Sequence, residues 1–305
     1  MKKAIVLRPD FRILYFSGTG NTHWVAEQLK KSLKAGGFRV FSTAVDELLA
    51  DAGRAYGQKE DRGKIVETLK KLAQPETTLI LAFPAYFCEP PLPVKEMLEL
   101  LPETKNCNLA VIVTVYRAGG EVHRLPGKLL APKGYEPVLE AYVKMPNNIK
   151  LPNLEQYEIL NGPELKSYLE SAGQRVKELA GRLAAGKPDT EKAGVAEMIQ
   201  GVSYRMSEVP VQKMFAGRMF AEARCKKCSF CASICPMGNI TFARGYPEFG
   251  GDCCGCLRCY NLCPIFAIQI TEATLDEKKY PRYRGFDGWH PRRLREVVKG
   301  DAPRG

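Results

Sequence analysis

The sequence predicts an α/β protein, a doubly wound parallel five-stranded sheet followed by a small cysteine-rich module. Three observations carry this. Short β-prone apolar runs alternate with helical-period stretches over residues 11–186. A loop of small hydroxyl and glycine residues joins the first such strand to the first helix. Nine of the eleven cysteines are compressed between Cys225 and Cys263.

The first strand is expected at Ile13–Phe16, turning through Ser17, Gly18, Thr19, Gly20, Asn21 and Thr22 into a helix whose apolar face is Val25, Leu29 and Leu33. Further strands are expected at Arg39–Thr43, Thr78–Phe83, Leu109–Val115 and Pro137–Lys144. The third ends in Pro84, Ala85, Tyr86, Phe87 and Cys88, before a helix with Val94, Met97, Leu98 and Leu101 on one face. The fourth ends in Thr114, Tyr116, Arg117, Gly119 and Gly120, and the fifth closes on Met145, Pro146, Asn147 and Asn148. Leu165, Leu169, Ala172, Val176, Leu179 and Leu183 mark a last amphipathic helix, ended near Gly186 and Pro188. Residues 188–222 read as a helical connector, in which Met214, Phe215, Met219 and Phe220 are expected to pack rather than bind.

Strand, small-residue turn and helix together bring backbone N–H groups to a helix N-terminus, where phosphate binds well. The turn fits neither G-x-x-x-x-G-K-[ST] nor G-x-G-x-x-G. It resembles the phosphate loop of flavodoxins, and the resemblance covers roughly residues 11–186 (domain 1–187). That likeness implies strand order 2-1-3-4-5 and a noncovalent FMN rather than FAD. Its phosphate would rest on Ser17–Thr22, and its ring between the loops Pro84–Cys88 and Thr114–Gly120. No basic residue lies inside the loop, so neutral donors and the helix terminus must hold the charge. Flavodoxin-like proteins often carry a glycine where Cys88 stands. A left-handed backbone costs another residue about 1–2 kcal/mol, so that conformation is expected to be disfavoured here.

The cysteines form a repeat. Cys225, Cys228, Cys231 and Cys235 make C-x2-C-x2-C-x3-C before Pro236; 28 residues on, Cys253, Cys256, Cys259 and Cys263 repeat it before Pro264. Ile240 and Ile268 also correspond, and Cys254 falls outside the register. Such crowding suggests metal rather than disulfides. Structural zinc is the alternative, but zinc takes four ligands in two separated pairs. The segment 223–275 resembles bacterial two-cluster ferredoxins, small α+β domains. That resemblance implies one [4Fe-4S] cluster on Cys225, Cys228, Cys231 and Cys263, and a second on Cys253, Cys256, Cys259 and Cys235. Cys254 is expected to point away as a spacer.

Joined, the parts resemble the flavodoxin–ferredoxin fusion proteins of anaerobes. The resemblance implies electron transfer between FMN and two [4Fe-4S] clusters, and on to or from redox partner proteins. The alternatives are an FMN-dependent oxidoreductase reducing a small substrate and a dedicated low-potential donor to a metalloenzyme. No nucleophile–base constellation is visible, which favours a carrier over an enzyme. Apolar runs stay short of the roughly 20 residues of a membrane span. The N-terminal run Ala4–Leu7 is too short for a secretory core, so a cytoplasmic location is expected.

The formal net charge of +11 departs from acidic carriers. Residues 1–187 hold 27 basic and 21 acidic side chains, 188–222 four and five, and 223–305 fourteen and eight. The tail 276–305 is basic, with no nucleic-acid motif; partners with acidic docking surfaces are a better reading than nucleic acid, and a merely solvated tail stands beside both as an alternative. His23, His123 and His290 show no ligand spacing; Cys107, Trp24 and Trp289 read as packing residues.

Overall fold

The computed structural model describes residues 10–53, 61–202 and 215–291, apart from positions 118, 153, 196, 200, 243, 244, 287, 288 and 290. Met214, His290 and residues 292–305 of the expected tail lie outside the described residues. The alternation is present as β1 (Asp10–Tyr15), α1 (Asn21–Ala35), β2 (Arg39–Ala44), α2 (Val45–Asp51), α3 (Arg62–Leu72), β3 (Thr77–Pro84), α4 (Leu92–Leu100), β4 (Cys107–Val115), α5 (Leu125–Leu130), β5 (Tyr135–Lys144) and α6 (Gly162–Ala184). A two-residue strand, β6 (Asp189–Thr190), extends the five expected strands at the β5 edge. The order is β2-β1-β3-β4-β5-β6, with every pair parallel. This is the flavodoxin-like order of a doubly wound sheet.

Central strands of such sheets are covered on both faces and read as continuous apolar runs. All nine residues of β4 are buried. Alternate side chains divide between two cores. Ile13, Ile80, Ile112 and Leu139 meet Val25 and Leu29 of α1 and Val176 and Leu179 of α6. Leu14, Leu79, Leu81, Val111 and Val113 meet Leu48 of α2, Leu69 of α3 and Met97 of α4. Truncating a fully buried leucine such as Leu29 to alanine removes about 2–5 kcal/mol. Parallel pairing puts the C-terminal ends of β1, β3, β4 and β5 at one edge, so the expected loops emerge together.

The cysteine-rich module keeps the 28-residue symmetry in its backbone. β7 (Phe220–Ala221) pairs antiparallel with β10 (Ile268–Gln269), and β8 (Ile240–Thr241) with β9 (Glu248–Phe249). Adding 28 carries β7 onto β9 and β8 onto β10, so each ribbon takes one strand from each copy. The repeat therefore begins by Phe220. Lys227 and Gly255, Ser229 and Leu257, and Gly238 and Phe266 are pairs at the same spacing, and all six have positive φ. For Lys227, Ser229, Leu257 and Phe266 that conformation costs about 1–2 kcal/mol each, and it bends the chain round the thiols.

Phe215 and Met219 of the connector are buried against Tyr260, Ile268 and Ile270, as the packing expectation had it. The start of the tail is also buried: Tyr283 and Phe286 join the core that holds α1, and Phe286 lies 6.1 Å from the Trp24 ring. Among the described residues no helix is long and apolar enough to cross a membrane.

Candidate functional site

The loop from Ser17 to Thr22 leaves β1 and opens α1, with Ser17, Thr19 and Thr22 at most 2% exposed. Long-range polar contacts brace it. Thr22 and Thr114 share a hydroxyl hydrogen bond of 2.7 Å, and Asn148 Nδ2 donates to Thr19 Oγ1 at 2.8 Å. Asn21 Nδ2 donates to Pro146 O at 2.8 Å, and Tyr283 Oη donates to Asn21 Oδ1. Gly20 N is satisfied by Ser17 Oγ at 3.1 Å. Among the described residues nothing accepts from the N–H groups of Thr19, Asn21 and Thr22, and no side chain caps α1. Orphan buried donors at a helix N-terminus suit an anion such as phosphate.

The other expected loops converge here. Ala85 N donates to Thr114 O at 3.0 Å. A Cβ on Gly120 would lie 3.6 Å from Cys88 Cβ, and one on Gly18 would collide with Tyr86 Oη. Tyr86 and Glu89 exchange backbone hydrogen bonds of 3.0 and 2.9 Å, with Phe87 at φ 54° and Cys88 at φ 60° between them. Cys88 thus adopts the left-handed conformation that its side chain was expected to disfavour. The tight turn requires positive φ at both central positions, and the paired hydrogen bonds with burial of Cys88 (3% exposed) hold it there. Arg117 behaves differently: it is exposed and stacks on the rings of Tyr157 (4.9 Å) and Tyr116 (5.7 Å).

Gly119 and Gly120 rest on Tyr142, whose hydroxyl donates to Gly120 O at 2.8 Å and lies 2.6 Å from His123 Nδ1. His123 is fully buried, and its Nε2–H donates to Glu191 O at 2.9 Å. The histidine left without a role in the sequence reading therefore buttresses this loop.

The thiols line two cavities. Cys225, Cys228, Cys231 and Cys263 line one; Cys235, Cys253, Cys256 and Cys259 line the other, so the fourth thiol of each copy crosses to its neighbour. Backbone N–H groups point at matched sulfurs: Lys227 N to Cys225 (3.5 Å) and Gly255 N to Cys253 (3.4 Å), Asn239 N to Cys235 (3.4 Å) and Ala267 N to Cys263 (3.2 Å). Burial pushes the Cys231 thiol up to about 12, and Cys263, Cys225 and Cys228 add to it. Burial likewise raises Cys253 to about 12 and Cys235 to about 11, with Cys256 adding to both. Thiolates packed this way repel one another, and bound cationic metal relieves that repulsion. Among the described residues no three ligating groups converge on a single-ion site.

Cys254 does not point away. It is 1% exposed, lines the second cavity and hydrogen-bonds Cys256, which together with Arg258 draws the Cys256 thiol down to about 7 against its burial. Its side chain turns inward because it packs into the sheet's core beside Cys256 and Tyr86.

Arg258 is the main residue that sequence reasoning missed. It is 1% exposed, yet it comes from the short helix Arg258–Leu262. Its Nε donates to Gly18 O (3.0 Å), Nη2 to Ser17 O (2.6 Å), and Nη1 to Asp46 Oδ2 (3.0 Å) and Ile234 O (3.2 Å). One side chain thus ties the second thiol set to the loop Ser17–Thr22. The available signal was a break in the repeat, since the first copy has Phe230 in that slot. Asn148, Asp46 and Tyr283 were also missed. Trp289 stands over Gly20, with a Cβ there 3.2 Å from its ring, so it shields the loop as well as packing.

No family model matches the chain, and no curated protein matches it. Among solved structures it is similar to the Streptococcus pneumoniae TIGR4 flavodoxin (16% identity, 58% of this chain and 98% of that one, TM-score 0.36). It is also similar to oxidised flavodoxin 2 of Bacillus cereus (18% identity, 57% and 99%, TM-score 0.36). A third is the rubredoxin oxygen:oxidoreductase of Desulfovibrio gigas (13% identity, TM-score 0.35), where the match takes in 58% of this chain and 37% of that one.

Proposed function

We propose that the chain is an electron-transfer protein holding FMN in its sheet domain and two [4Fe-4S] clusters in its cysteine-rich module. The observation that carries this reading is the pair of cavities, each lined by four cysteines of the C-x2-C-x2-C-x3-C runs drawn from both copies, with Cys254 as a fifth in the second. In support, N–H···S contacts match between copies, and orphan donors stand at the loop Ser17–Thr22.

In this reading Thr19, Asn21 and Thr22 hold the phosphate through their N–H groups. Tyr86, Phe87, Cys88, Gly119 and Gly120 flank the ring. Cys225, Cys228, Cys231 and Cys263 hold one cluster, and Cys235, Cys253, Cys256 and Cys259 the other. A flavin exchanges electrons singly or in pairs and a cluster exchanges them singly, which lets one chain join the two regimes. The protein's part is placement. Arg258 holds the second thiol set against the loop, Tyr142 and His123 fix Gly119–Gly120, and the backbone donors to sulfur help set the potentials. A sheet domain that runs on through β6, a cysteine-rich module that begins by Phe220, redox partner proteins and a cytoplasmic site belong to the same proposal.

The test is anaerobic purification with iron, sulfide and FMN analysis, followed by a redox titration read by EPR and visible absorption. About eight iron, eight sulfide and one FMN per chain are expected. About one zinc with no sulfide overturns the reading.

A further inference from the structure

The two copies of the thiol repeat face different surroundings, and their sequences differ where this matters. The second set abuts the sheet domain: Cys256 is buried beside Cys254 and Arg258, Arg258 is bonded to the loop Ser17–Gly18, and Cys235, Cys253 and Cys259 are partly exposed. In the first set Cys231 and Cys263 are buried and Cys225 is partly exposed, but Cys228 is exposed, the one exposed thiol among the two sets. At the two positions following Cys253 stand Cys254 and Gly255, which fit the buried junction. At the equivalent positions following Cys225 stand Lys226 and Lys227, both exposed.

Neither lysine has an ion pair among the described residues, whereas neighbouring Arg224 is bound by Glu222 and Glu277. Lys227 Nζ instead sits 4.3 Å over the ring of Tyr246, itself 37% exposed. Among the described residues no carboxylate therefore pairs with the positive charge beside Cys228.

We propose that the first thiol set is the port for electron exchange with other proteins, and that the partner docks there with an acidic patch against Lys226 and Lys227. This rests on the electron-transfer reading above. One electron crosses per encounter: the reduced chain loses it, a one-electron acceptor gains it, and no bond or proton need move. Charges this close to the exchanging sulfur act within the Debye length, about 10 Å at 0.1 M salt, and steering of this kind changes encounter rates by about 10–1,000-fold.

The test uses the anaerobic full-length holoprotein, reduced and freed of excess reductant. Stopped-flow reoxidation is followed with hexacyanoferrate(III), an anion, and hexaammineruthenium(III), a cation. In Lys226→Glu/Lys227→Glu the ratio of anion to cation rates should fall about tenfold at low salt, and by less than about twofold at 0.5 M. Poly-glutamate, titrated directly for binding, should bind the parent and compete with hexacyanoferrate, and do neither with the variant. Lys166→Glu/Lys177→Glu, exposed on α6, serves as the control for net charge. Intact iron and EPR signals with an unchanged ratio, or an equal fall in the control, overturn the docking face alone. A parent lacking iron and sulfide overturns the electron-transfer reading, and the port with it.

Discussion

Replacing Arg258 with methionine should loosen the junction between the cysteine-rich module and the sheet domain. Methionine fills much of the space of the arginine stem but donates nothing. The change therefore leaves Ser17 O, Gly18 O and Ile234 O without their guanidinium donors, and the Asp46 carboxylate, 14% exposed, without its cation. Breaking a buried pair by removing one partner costs about 3–5 kcal/mol, most of it the uncompensated charge. At about 2–4 °C per kcal/mol for domains of 150–250 residues, Tm should fall by about 6–20 °C. Adding Asp46→Asn removes the stranded charge and should recover about 1–3 kcal/mol of the loss. Arg258→Lys should recover little, because an ammonium cannot reproduce the planar fork that spans Ser17 O, Gly18 O and Asp46. The assay is thermal unfolding of the anaerobic protein read by tryptophan fluorescence, since Trp289 lies 5.8 Å from the guanidinium carbon. A fall below about 2 °C, or a double variant no more stable than Arg258→Met, would refute the reasoning.

Cys235→Ser should reduce iron from about eight to about four per chain and abolish the signal of the second set, while Cys263→Ser should strike the first. Iron analysis with EPR decides it, and the reverse pattern would overturn the crossed assignment. Thr19→Asp puts a carboxylate among donors that would face the phosphate and disturbs the bond from Asn148, so flavin absorbance should be lost after gel filtration. Stoichiometric FMN in that variant would place the phosphate elsewhere. At φ 60°, Cys88→Gly relieves about 1–2 kcal/mol of backbone strain but gives up buried side-chain contacts and adds chain entropy, leaving stability within about 1 kcal/mol of the parent. Cys88→Val, β-branched in a left-handed position, should lose more than about 2 kcal/mol. Urea midpoints compare the two; equal losses would show that the backbone conformation is not what limits this position.

Local pattern alone determined the five long strands, the helices between them and the grouping of the loops at one sheet edge. Each follows from side-chain period and chain connectivity, which act between neighbours in sequence. The 28-residue spacing showed two copies of four cysteines, while the crossed partition into two sets came from the resemblance to two-cluster ferredoxins. The contacts that close the site depended on tertiary structure. Arg258 reaches Ser17 across 241 positions and Asn148 reaches Thr19 across 129. No period or spacing encodes such pairs; they exist because two separately specified surfaces dock. The same cause turned Cys254 inward and buried His123 beneath the loop at Gly120. At Cys88 it held a left-handed bend that local preference opposes, since a pair of backbone hydrogen bonds and a buried thiol outweigh about 1–2 kcal/mol of strain.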